Sequence, residues 1–156
     1  MKQKTFAALL TLVLMFILPA RTMAQDALFD KYNDAEGITT VFISKTMLQM
    51  IPNVKAGDRE IGQIASKLDQ MRVLHCERPS MIPSIKKQAQ DFFYKNKYEI
   101  VMHMSEDGEH MTVYHKKLKN GKAEFALLAE EDDEISIINL KGNITLKNIQ
   151  EIAGTK

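Results

Sequence analysis

The chain has 156 residues, with 21 Lys and Arg against 20 Asp and Glu, one Cys and no Trp. A single Cys excludes an intramolecular disulfide, so stability must come from a packed core. The near-balanced charge excludes the basic field that a nucleic-acid binder needs.

The first 24 residues have the layout of a secretory signal. Lys2 and Lys4 give a basic start, Phe6 to Leu18 form an apolar run of 13 residues, and Thr22-Met23-Ala24 places small residues at the cleavage-determining positions. That run falls short of the roughly 20 apolar residues a membrane-spanning helix needs, and Gln25, not Cys, would follow the cut after Ala24, leaving no residue for lipid attachment. The expected product is exported, periplasmic or secreted, with residues 25–156 as one domain and no membrane span. Removing Lys2, Lys4 and Arg21 leaves 18 basic against 20 acidic residues, a net charge of −2. Seven Met remain to fill irregular gaps in the core.

In chain order, Asp26 to Asp34 puts Leu28, Phe29 and Tyr32 on one helical face, and Gly37 suits a left-handed termination. Thr39 to Ser44 is β-branched and aromatic, the composition of a strand. Ser44 can cap a short helix carrying Met47, Leu48 and Ile51 on one face before Pro52 stops it. Asn53 to Gly57 reads as a loop, and Asp58 as the cap of a helix with Ile61, Ile64, Ala65 and Leu68 inward. Met71 to Cys76 alternates as a strand. Ser80 to Asn96 is a longer helix with Ile82, Ile85, Ala89, Phe92 and Phe93 inward, and Pro83 is tolerated because it lies in the first turn.

The stretch from Tyr98 to Leu140 reads as a meander. Asp107-Gly108 and Asn120-Gly121 are dipeptides that accept the positive φ of tight hairpin turns, and each sits between alternating apolar and polar residues. The acidic run Glu130 to Glu134 precedes a fourth strand, and Thr145 can cap a last helix with Leu146, Ile149 and Ile152 on its apolar side. Strands between helices followed by an unbroken run of strands predict an α+β fold, a mainly antiparallel sheet of about five to six strands with helices packed on one face.

Three stretches resemble a known family: Leu28-Phe29-Asp30-Lys31-Tyr32, then Gly37 to Ser44, then Ile135 to Gly142 followed by Leu146 to Ile152. They are similar to the exported bacterial family of unknown function numbered 4252, typical of envelope proteins in Bacteroidetes. The resemblance implies an exported α+β domain, encoded near regulators of the extracytoplasmic-function sigma-factor type. It brings no catalytic residues.

For chemistry, a two-residue turn at Asp107-Gly108 puts Glu106 opposite Glu109, Ser105 opposite His110 and His103 opposite Thr112. His103 and His110 then share a face with Val101, Thr112 and Tyr114, where two imidazoles could begin a metal site that still needs a third ligand. His115 points the other way, with Ile100, Met102, Met104, Met111 and Val113, a side that reads as core. His75 and Cys76 are neighbours in a strand, so their side chains face opposite ways and cannot act together. The acidic run lacks the turn glycine of a calcium loop. No phosphate loop, nucleophile elbow or His-Glu-x-x-His helix is present.

Lys116, Lys117, Lys119 and Lys122 crowd the second turn, with Lys117 expected to face Glu124. The absence of a reactive constellation in a well-patterned exported domain leads to an expectation of a non-catalytic protein without cofactor or bound metal, binding a protein partner or ligand, with Tyr114, Lys119 and Lys122 as candidate contacts; the resemblance implies an envelope protein accessory to envelope signalling. The alternatives are a small metal-binding protein or enzyme centred on His103 and His110, and a carrier of an apolar ligand.

Overall fold

The computed structural model describes residues 24–50, 55–56, 59–60 and 62–153. The signal-like residues 1–23, and the expectations placed on Ile51, Pro52, Gly57, Asp58 and Ile61, lie outside the described residues. The chain runs α1 (Ala24–Asp30), β1 (Ile38–Ser44), α2 (Lys45–Met50), β2 (Lys55–Ala56), β3 (Arg59–Glu60), α3 (Gly62–Ala65), β4 (Leu68–Cys76), α4 (Ile82–Lys95), β5 (Glu99–Glu106), β6 (Glu109–Lys117), β7 (Ala123–Glu130), β8 (Ile135–Gly142) and α5 (Leu146–Ala153). Six strands form one sheet in the order β1-β4-β8-β7-β6-β5, with every neighbouring pair antiparallel. β2 and β3 make a separate small hairpin, so part of the segment expected as loop is extended.

Helices cover both faces of the sheet, not one. The cause lies in β7 and β8, which are apolar at both parities. Phe125, Leu127, Ile138 and Leu140 point to one side, where Leu48 of α2, Ile64 of α3 and Ile149 of α5 meet them. Ala126, Leu128, Ile135 and Ile137 point to the other, under α1 and α4. A strand buried on both faces reads as a continuous apolar run, and two layers of helix are then needed to exclude water from it.

α4 docks through Ile82, Ile85, Ala89 and Phe93, all buried and spaced three or four apart, with Pro83 in its first turn. The Phe93 ring packs on Tyr114 at 4.4 Å and on Tyr98 at 5.1 Å between centroids. At the other end of the chain, the Thr145 hydroxyl accepts from the Asn148 backbone N–H while Asn148 Oδ1 accepts from the Thr145 backbone N–H, a reciprocal cap on α5. The Met47 N–H reaches Ser44 Oγ at 3.4 Å, the expected cap of α2. The helix expected through Leu68 ends at Ala65, and Leu68 opens β4 instead.

The first hairpin has the expected register. Asp107 and Gly108 both take positive φ, and Glu106, Ser105 and His103 pair with Glu109, His110 and Thr112. A bulge between Ile100 and Met102 then shifts the pairing. Val101 therefore packs with the Met side of the sheet, and Ile100 is exposed, the reverse of the expected sides.

The second turn keeps positive φ at Asn120 and Gly121 but not the expected register. Leu118 N–H bonds to Lys122 O, and Lys122 N–H to Lys119 O, so two residues oppose one. Lys117 consequently pairs with Ala123, and it is Lys116 that lies opposite Glu124.

Candidate functional site

β5, β6 and α4 place His103 and His110 in one cleft. Both imidazoles stand on the α4 side of the sheet, since Thr112 and Leu128 share the His103 row and Glu130 lies opposite His110. With Lys86, Gln90, Thr112, Leu128 and Glu130 they line a space of about 190 Å³. His103 Nδ1 lies 3.0 Å from Thr112 Oγ1 and His110 Nδ1 lies 3.0 Å from Ser105 Oγ. Lys86 Nζ reaches Glu130 Oε2 at 2.6 Å across the rim. Among the described residues no third His, Cys, Asp or Glu brings a ligand atom within 4.8 Å of both imidazoles, and Glu130 of the same cleft is paired with Lys86. The cleft can hold a small polar group by hydrogen bonding, but it does not assemble a three-donor ligand set.

Tyr114 belongs to the core beneath α4. Its ring stacks on Phe93, its hydroxyl bonds to Gln90, and burial pushes that hydroxyl above its ordinary range. The candidate contact Tyr114 is thus withdrawn from the surface. Lys122 is occupied as well: with Lys45 it clamps Asp69, the residue left over at the bulge between Leu68 and Gln70. Hydrogen bonding from Lys122 and then Lys45 holds the Asp69 carboxyl below its usual range against the opposing effect of its burial. Lys119 remains exposed at the hairpin tip.

A buried polar group sits deeper on the α4 side. Glu124 is 2% exposed and accepts a hydrogen bond of 2.7 Å from Asn139 Nδ2, and Tyr98 is its second donor. Burial pushes both the Glu124 carboxyl and the Tyr98 hydroxyl upward, while the hydrogen bonds from Asn139 and Tyr98, and after them Lys141 and Lys116 in the flanking strands, pull the carboxyl part of the way back. Nothing in the spacing of Tyr98, Glu124 and Asn139 announced this trio. It needs the shifted register of the second turn.

Two further places went unnoticed in the sequence. His75, Glu77 and Glu134 each offer a ligand atom within 4.8 Å of the others, at the end of the β4–β8 ladder. Glu77 and Glu134 are far apart in the chain, and only the ladder joins them. The other place is the free side of β1, where Phe42 is 58% and Val41 42% exposed. Arg72 lies over the Phe42 ring at 5.1 Å and over Phe29 at 5.8 Å. Those three side chains, with Asn33, Thr40 and Val41, line a shallow space of about 170 Å³.

These features define an α+β protein on a six-stranded antiparallel sheet, with polar groups at the strand ends and apolar groups along one edge. The chain belongs to the DUF4252 family, a domain of unknown function, whose model matches residues 32–152. The match begins before β1 and ends within α5, so it takes in the whole sheet. No curated protein matches the chain.

Proposed function

We propose that this protein is exported and acts outside the cytoplasm as a non-catalytic binding module that takes an extended segment of a partner protein onto β1. The single observation behind this reading is the contrast between the two edges of the sheet. β5 carries a bulge at Val101, begins and ends in Glu, and displays His103, all features that discourage a further strand. β1 runs Ile38-Thr39-Thr40-Val41-Phe42-Ile43-Ser44, with no charge, no Pro and an unbroken register against β4.

Among the described residues β1 pairs only with β4, leaving one row of backbone donors and acceptors for a partner strand. Exposed Val41 and Phe42 would supply side-chain contacts, and the Arg72 guanidinium under Phe42 holds that ring in place. The basic start and apolar run of the first 24 residues support the exported part of the reading.

A photo-crosslinking residue at position 41 of the full chain tests the reading in living cells. The expected result is one discrete protein adduct, lost when Phe42→Lys is added and absent when the probe sits at exposed Tyr94. Adduct formation indifferent to Phe42→Lys, or equal at both probe positions, would remove β1 as the docking edge. Recovery of the adduct from the cytoplasmic fraction would remove the exported address.

A further inference from the structure

We propose that His75, Glu77 and Glu134 form a binding site for a single divalent transition-metal ion of the zinc type. The ladder between β4 and β8 brings the ligands together. His75 pairs with Ser136 and Cys76 with Ile135, so the next step of the register sets Glu77 across from Glu134. Two carboxylates directly opposite each other repel, and a cation between them reverses the sign of that interaction. Glu131, Asp132 and Asp133, in the same turn as Glu134, add to the negative potential there.

The distances match a small tetrahedral ion. With metal–ligand bonds of about 2.1 Å, two ligand atoms of a tetrahedron lie about 3.4 Å apart. His75 Nε2 and Glu77 Oε1 are separated by 3.4 Å, and all three donors fall within 4.8 Å of one another. Closing the remaining gap requires only side-chain rotation of two glutamates, of which Glu77 is 77% exposed. The imidazole is already oriented, since its Nδ1 lies 2.8 Å from Ser136 Oγ and its Nε2 is turned to the carboxylates. A ligating imidazole is commonly fixed in this way, through its second nitrogen.

The donor set selects the metal class. One imidazole and two carboxylates, with an open side for water, suit zinc. Calcium takes six to eight oxygens and magnesium keeps an oxygen shell, so neither favours the imidazole. Cys76 is the neighbouring soft donor, but strand alternation turns it into the core on the opposite side, which removes a thiolate site for copper(I).

Calorimetric titration of the full chain with zinc chloride at pH 7 tests the site. The expected result is one ion per chain, abolished by His75→Ala and weakened at least tenfold by Glu134→Gln and by Glu77→Gln. Ser136→Ala should weaken zinc by about 10–100-fold, because it frees the ring to turn. Calcium should produce no saturable binding. Far-UV circular dichroism checks the fold of each variant, and the exposed position of Glu77 keeps that variant informative even where His75→Ala disturbs β4. Absence of stoichiometric zinc, zinc binding undiminished in both His75→Ala and Glu77→Gln, or binding that disappears in His103→Ala instead would overturn the assignment.

Discussion

Phe93→Ala is the substitution that most directly tests how α4 is seated, and with it the wall of the cleft that holds His103 and His110. The side chain is 1% exposed. Deleting a buried Phe to Ala costs about 3–5 kcal/mol in lost burial and residual cavity. Phe93 also meets Phe92, Tyr98 and Tyr114 at centroid distances of 5.6, 5.1 and 4.4 Å. Aromatic pairs add about 0.5–1.5 kcal/mol beyond area, which places this site at the upper end, about 4–5 kcal/mol. Against a total stability of about 5–15 kcal/mol, such a loss leaves the native state marginal and lowers Tm by roughly 15–20 °C. Urea unfolding followed by far-UV circular dichroism is the suitable assay, since the chain has no Trp to report by fluorescence. Phe92→Ala, at a half-buried neighbour, serves as the comparison and should cost clearly less. A Phe93→Ala loss under about 2 kcal/mol, or one equal to that of Phe92→Ala, would refute the packing argument.

Glu124→Gln should change the pH profile of stability. Because burial raises this carboxyl in the folded state, its favourable contribution is full below the ordinary value of 4.5 and is lost as pH rises through the folded value. The Gln variant should therefore match the wild type near pH 4 and melt higher at pH 8, and a lower Tm at pH 8 would contradict the sign. Asp69→Asn has the opposite sense: the folded carboxyl is held down, so its contribution is present above the ordinary value of 3.8 and lost as pH falls through the folded value. The variant should lose about 1 kcal/mol at pH 7, and the difference from wild type should vanish in acid. Gly142→Ala should destabilise by about 3 kcal/mol or more, because its Cβ would stand 2.2 Å from Lys67 O and 2.8 Å from Leu68 Cα, both backbone atoms that cannot swing aside. Thermal melts that leave Gly142→Ala unchanged would show that the β4 bulge adapts.

The parts of this fold legible in the sequence are those controlled by a few adjacent residues. Asp107-Gly108 defined a turn, and from it the pairing of His103 with Thr112 and His110 with Ser105 followed by counting. Thr145 and Ser44 capped the helices they precede because capping depends on the next three residues alone. What escaped is either a local irregularity without a compositional mark or a contact between strands distant in sequence. The bulge at Val101 and the extra residue at Leu118 each shift a register by one, and no composition marks either. The two-sided core was visible in principle, since Phe125 to Ala129 is continuously apolar, but alternation elsewhere in the sheet argued for one wet face. His75, Glu77 and Glu134 could not be joined on paper, because their proximity follows from β4 lying beside β8, a neighbour relation that skips the long helix and three strands.

The unequal borders of the sheet bear on self-association. A sheet with two adhesive margins could grow without limit, each copy offering one side to the next, and filaments would result. On the proposed reading the margin at β5 would end such growth, so two copies meeting through β1 would close on a two-fold axis and stop. A β1 that takes up a further strand, as proposed, would thereby be limited to making pairs.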